Sequence, residues 1–182
     1  VTSTRQWWIV GAAGGSVVVA LILWGLEVAL RRETIDVGRP AAEAPDGART
    51  IELLVPEADG RLVVETREIL GGESLEADVR RAVEELVRGG ESGLHPLPST
   101  TRLLDVFFDG EGLLVLNFSD DLRTDHPGGS EAELATVRCL VGTVAANFPE
   151  VDRVGVLVDG EPVATLGGHA DLGEPIRTDG YR

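Results

Sequence analysis

The chain has 182 residues, a formal net charge of -15, 43% hydrophobic residues and 4% aromatic ones. That length holds one ordinary domain plus an appendage, and the mix is too apolar for a disordered chain and too charged for a multi-span membrane protein. The acidity excludes a nucleic-acid binder that works through clustered Lys and Arg, and one cysteine excludes an internal disulfide framework or a multi-cysteine metal site.

The charge is unevenly placed. Residues 1–49 balance five Arg against five acids, so the whole -15 falls on residues 50–182. All sixteen basic residues are Arg, a pattern that fits GC-rich codon usage. An initial Val suits a GTG start, on which reading no segment precedes it.

Residues 1–6 form a short N-terminal tail, and residues 7–30 read as a transmembrane anchor. Trp7 to Leu26 is a run of 20 residues without a charge. At the α-helical rise it spans about 30 Å, the thickness of a bilayer core, where only a helix satisfies its own backbone. Trp7 and Trp8 stand at one end and Trp24 near the other, like an interfacial aromatic belt. The rival is a cleavable signal peptide, whose apolar region is shorter and ends in a small-residue site. The following Gly25-Leu26-Glu27-Val28 offers no such site, and no Cys follows to carry a lipid. Arg31, Arg32 and Arg39 after the span outnumber Arg5 before it, which by charge alone places the C-terminal domain in the cytoplasm. Residues 31–49, with Gly38, Pro40, Pro45 and Gly47, read as a linker.

The domain is expected over residues 50–182. Thr50–Val55 and Leu62–Ile69 read as strands joined through Ala58-Asp59-Gly60. Ser74–Arg88 is an amphipathic helix with an apolar stripe of Leu75, Val79, Ala82, Val83 and Leu86. Glu76 with Arg80, and Glu84 with Arg88, are i,i+4 pairs on its other side, and Gly89-Gly90 ends it. Leu103–Phe108 and Leu113–Phe118 form a hairpin around Asp109-Gly110-Glu111-Gly112. Leu104, Val106 and Phe108 are expected on one face, and Leu114, Leu116 and Phe118 on one face of the partner strand.

Ser130 opens a second helix, with Glu133 completing a capping box, and the helix runs to about Asn147. Its stripe is Leu134, Val137, Val141, Val144 and Phe148, while Thr136, Arg138, Gly142, Thr143 and Ala146 make a weakly polar far face. After Arg138 it carries no charge, so it is either buried on several sides or a contact surface; burial is favoured. Arg153–Val158 and Glu161–Leu166 follow as strands around Asp159-Gly160, and the turn-rich tail adds at most one short strand. The order ββαββαββ predicts an α+β two-layer sandwich, with two helices on a mostly antiparallel sheet.

Three segments carry a family resemblance: Leu94-His95-Pro96-Leu97-Pro98-Ser99-Thr100 before a strand, Gly112 to Ser119 as a strand, and Thr143 through Asn147-Phe148-Pro149 and Val151 to Asp159-Gly160-Glu161-Pro162. In order and spacing they resemble the GerMN domain of sporulation and spore germination proteins. The likeness covers roughly residues 50–176. It departs where Gly89-Gly90 stands for the family's usual Gly-Pro, and where a plain apolar span replaces a lipidated Cys. The resemblance implies a fold like the ring-building motif of secretion and sporulation assemblies. It also implies an extracytoplasmic, non-enzymatic scaffold on a membrane anchor, against the Arg count, with envelope proteins, a cell-wall hydrolase or further copies of itself as partners. The alternative reading is a peptidoglycan-binding module that targets a hydrolase.

No residue is assigned to catalysis, to a cofactor or to a metal, and no binding residue is identified. Ser119-Asp120-Asp121-Leu122-Arg123-Thr124-Asp125-His126 is the densest polar stretch, but it fits neither the EF-hand spacing nor a zinc ligand set. It reads as a solvated loop entering a helix. Ser119 lacks a nucleophile elbow, His95 and His169 read as surface residues, and Cys139 as a small packing residue. All four Phe are expected in the core, which leaves Tyr181 as the one free ring outside the anchor, a poor platform for sugars or bases.

Overall fold

The computed structural model describes residues 47–181. The predicted anchor at 7–30, the N-terminal tail and most of the linker lie outside the described residues. Among the described residues no helix is long and apolar enough to cross a membrane.

The elements in chain order are β1 (Ala48–Pro56), β2 (Leu62–Leu70), α1 (Leu75–Arg88), β3 (Leu103–Phe108), β4 (Leu113–Phe118), the single turn α2 (Asp121–Thr124), α3 (Ser130–Asn147), β5 (Arg153–Val158), β6 (Glu161–Pro162) and β7 (Ile176–Arg177). The expected order holds, but the single sheet does not. β1 and β2 make their own antiparallel two-stranded sheet, while β3 to β7 make a five-stranded one. Within the latter, β4 and β5 run parallel, Leu113 opposite Arg153 through Phe118 opposite Val158. The intervening α3 makes the crossover that a parallel pair requires. The other pairings are antiparallel. Glu161–Leu166 shortens to Glu161–Pro162.

One apolar core joins both sheets. Ile51, Leu53 and Val55 of β1, Leu114, Leu116 and Phe118 of β4, and Val154, Val156 and Val158 of β5 point into it. In β3 a bulge at Leu104 shifts the register, so Leu103, Val106 and Phe108 face inward and Leu104 outward. Phe107 is 60% exposed on the outer face, whereas Tyr181 packs against the core. The expected roles of those two rings are therefore exchanged.

Ser74 caps α1 by accepting from the Ala77 N–H at 3.3 Å, and Gly89 closes it at φ 86 with its N–H on the Leu86 carbonyl. The expected i,i+4 ion pairs do not form. Arg80 donates instead to the carbonyls of Leu103 and Leu104, and Arg88 pairs with Glu85. The Asp159-Gly160 turn takes positive φ at both residues, 49 and 82, as a tight hairpin needs.

Helix α3 is buried around most of its circumference, from Thr136 and Val137 through Thr143, Val144 and Ala145. β1 flanks one side, where Gly142 lets Leu54 approach so closely that an added Cβ would stand 2.6 Å from Leu54 Cδ2. On another side Val137, Leu140 and Val141 meet Val156, Leu166 and Leu172. Two flanks of neighbours explain why the helix lacks a strong polar face, in line with the burial expected for it. Leu134, assigned to its inner stripe, is 42% exposed.

Candidate functional site

The polar stretch 119–126 comes together around structural tasks. Ser119 Oγ donates to Asp121 Oδ2 at 2.7 Å and accepts from the Arg102 N–H at 3.1 Å. Thr100 donates to Asp125 at 2.7 Å, and Asp120 pairs with Arg123 at 2.7 Å. His126 turns away to α3. Its Nδ1 accepts from the Gly128 N–H at 3.0 Å, so the proton sits on Nε2, which donates to Thr136 Oγ1 at 3.0 Å. Thr136 in turn donates to the Pro96 carbonyl at 2.6 Å. Burial holds the His126 pKa below its ordinary 6.5, against the pull of Glu133. The acids and bases of this loop are thus spent on joining the 96–102 segment to the turn before α3. No bond links His126 to Ser119, and among the described residues no three His, Cys, Asp or Glu side chains converge on space for a metal ion.

Glu133 is a buried carboxylate that the capping-box reading misplaced. Gly129, at φ 86, caps α3 without a side-chain bond. Glu133 reaches the C-terminal tail instead, where His169 Nδ1 lies 2.7 Å from Oε1, and the N–H groups of His169 and Ala170 each reach Oε2 at 3.1 Å. Burial favours its neutral form, yet the His169 ring and the N–H groups of Gly167, Ala170 and His169 outweigh that and hold its pKa at about 2. His169 is exposed, as expected, and makes this contact from the surface side of the buried carboxylate. The spacing of 36 residues left no local signal for it. Cys139 is fully buried, and burial pushes its thiol up to about 12, which fits the packing role read for it. His95 is exposed, its Nδ1 on the Val87 carbonyl at 3.1 Å.

The open surface lies where α3 runs beside the outer face of the β1–β2 hairpin. A groove of about 470 Å³ is lined by Leu54, Val64, Gly142, Ala145, Ala146 and Tyr181, with Glu52 at its rim. A neighbouring hollow of about 610 Å³ takes in Pro56, Leu62, Leu134 and Arg138, with Asp59 and Glu131 beside them. Val64 is 59% exposed. The lining is aliphatic with one tyrosine and offers no nucleophile–base pair.

No curated protein matches. The family described as Germane, sporulation and spore germination, matches residues 44–164. Among solved structures, the first GerMN domain of the sporulation protein GerM from Bacillus subtilis is similar at 22% identity and a TM-score of 0.56, over 72% of this chain and 96% of that one. The tandem GerMN domains of the same protein are similar at 22% identity and a TM-score of 0.56, over 73% of this chain and 46% of that one. A Clostridium perfringens protein assigned as a lipoprotein is similar at 22% identity and a TM-score of 0.52, over 74% of this chain and 90% of that one. These likenesses show the fold, and the family match spans most of the described residues. The chain belongs to the Germane family of sporulation and spore germination domains, and its fold is of the GerMN type.

Proposed function

We propose that the chain is a non-enzymatic scaffold of the bacterial cell envelope, held by residues 7–30 in a membrane, with its domain on the extracytoplasmic side. The observation that carries this reading is the aliphatic groove between α3 and the β1–β2 hairpin, open to solvent and rimmed by Glu52. Such a surface suits a protein segment better than a small polar substrate. The uncharged run from Trp7 to Leu26 supports the anchor, and a relative assigned as a lipoprotein supports a membrane-proximal place. The acidic domain carries the whole -15, which repels anionic lipid and favours solubility beside the bilayer.

The test is crosslinking and co-purification of the full chain from native membranes, alongside a Val64→Arg variant that folds normally. A specific envelope protein recovered with the parent and lost with the variant is the expected result. Recovery of none in repeated trials, or direct co-sedimentation with purified peptidoglycan, would overturn the reading. Protease accessibility in spheroplasts checks the side of the membrane.

A further inference from the structure

The sheet edges of the domain are treated unequally. The outer edge of β1 is sealed by α3. Asn147 bonds both the N–H and the carbonyl of Glu52, and Thr143 Oγ1 accepts the Leu54 N–H at 3.0 Å. The outer edge of β3 is broken by the bulge at Leu104 and covered where Arg80 takes the carbonyls of Leu103 and Leu104. β6 and β7 are two residues each.

β2 differs from all of these. It is nine residues long, unbroken in register, and holds no Pro. The bonds that close its two ends, Glu57 N–H to the Arg61 carbonyl and Gly71 N–H to the Gly47 carbonyl, put the ladder bonds on odd-numbered pairs. The N–H and carbonyl groups of Leu62, Val64, Thr66 and Glu68 therefore point away from β1. Among the described residues no bond outside the hairpin ladder engages them, and of this row only the Leu70 carbonyl is taken, by Arg81. Natural proteins rarely leave so long an edge open without a device that blunts it.

The sequence of β2 says what fits there. Leu62-Val63-Val64-Glu65-Thr66-Arg67-Glu68-Ile69-Leu70 is nearly self-complementary about Thr66 when read antiparallel to itself. Leu62 then lies opposite Leu70, Val63 opposite Ile69, Glu65 opposite Arg67, and Thr66 opposite Thr66. Opposite charges and paired Thr or aliphatic side chains are the favourable cross-strand neighbours. A slip of two residues one way sets Glu65 against Glu65, and the other way Arg67 against Arg67, so charge selects one register.

We propose that β2 is a homodimer edge: two copies of this chain pair β2 to β2 about a two-fold axis at Thr66 and merge their hairpins into one four-stranded sheet. Glu65 and Arg67 already sit 3.1 Å apart within each copy, partly buried and braced by Glu85 and the Gly89 carbonyl. Pairing brings the second copy's Arg67 and Glu65 alongside, closing a four-charge cluster on the inner face. An interface of this kind is isologous, as two-fold dimers require. It rests on the geometry of β2 and not on the scaffold reading, which a monomer would leave standing.

The experiment uses the full chain in mild detergent, with single substitutions Thr66→Cys and Val64→Cys. Thr66 is exposed, and the two copies of it would form a bonded pair about 5.5 Å apart at Cα, within disulfide reach. The two copies of residue 64 would stand about 13 Å apart along the strands, out of reach. Cys139 is fully buried and does not compete. Under mild oxidation Thr66→Cys is expected to give a covalent dimer at least tenfold more than Val64→Cys. Thr66→Pro, which removes an outward N–H and spares the β1 ladder, is expected to give a folded monomer by circular dichroism and sedimentation. If Thr66→Pro does not fold, the crosslinking contrast decides alone. A parent chain monomeric at about 100 μM, a loading that populates even a weak homodimer, overturns the proposal. So does crosslinking at residue 64 equal to that at 66.

Discussion

Asn147, in the last turn of α3, grips Glu52 of β1 by both backbone groups: Oδ1 accepts the Glu52 N–H at 2.9 Å and Nδ2 donates to the Glu52 carbonyl at 2.6 Å. The amide acts as one residue of a missing neighbouring strand. A side chain thus completes a ladder position that backbone would otherwise fill. Asn147→Ala leaves both groups of Glu52 without that partner and is expected to lower stability by about 2 kcal/mol. Asn147→Asp keeps the acceptor and loses the donor, so its loss should be of similar sign. Chemical denaturation of both variants checks this.

Acid should unfold the domain in two steps of sensitivity. The His126 pKa is depressed in the fold, so its contribution is complete above the ordinary 6.5 and declines as pH falls through the lower folded value. Protonating Nδ1 breaks the bond from the Gly128 N–H. Glu133 is depressed from 4.5 to about 2, so its contribution is complete above 4.5 and is lost as pH falls toward 2. Melting temperature against pH should bend in both windows. Glu133→Gln should flatten the second and, by removing the charge that pulls the His126 pKa up, extend the first to lower pH, whereas His126→Asn should flatten the first.

Glu133→Ala removes the acceptor that orders the tail. It is expected to cost on the order of 3 kcal/mol, because N–H groups at 167–170 and the His169 ring lose a buried charged partner together. Amide exchange should rise first at Gly167, His169 and Ala170, ahead of the sheet.

Ser119→Ala separates a structural serine from a reactive one. The hydroxyl bridges Asp121 and the Arg102 N–H, so the variant should lose about 1 kcal/mol of stability. Envelope phenotype in cells should be unchanged once the variant is expressed to the parent level. The Cys139 thiol, pushed up to about 12 by burial, should resist thiol reagents until the domain unfolds.

Local chemistry made several elements readable. Asp-Gly pairs mark hairpin turns because both residues accept positive φ, and Gly110 and Gly160 do so here at 80 and 82. The stripe of Val79, Ala82, Val83 and Leu86 repeats at helical spacing because one face of α1 meets the core. What could not be read depends on neighbours distant in sequence. The parallel union of β4 with β5 follows from where α3 carries the chain, and nothing in either strand encodes direction. Ser130 and Glu133 fit a capping box, but the tail 36 residues on captures the carboxylate more strongly. Arg49, read as linker, belongs to β1. It pairs with Asp78 at 2.6 Å, donates to the Asn147 carbonyl at 2.8 Å and lies over the Phe148 ring. The groove escaped notice because its lining comes from β1, β2, α3 and Tyr181 of the tail, which are far apart in sequence and meet only in the fold.

The hold of Glu133 on the tail also bears on where the domain ends. The family match stops at residue 164, three residues before the first N–H that Glu133 binds. A chain cut there would strand an ionised carboxylate in the interior and remove β7 together with the Thr178 bond to Val151. The folding unit of this chain is therefore longer than the matched segment. Residues 165–181 are part of that unit, so a fragment ending at residue 164 is expected to be less stable than the domain carried through to 181.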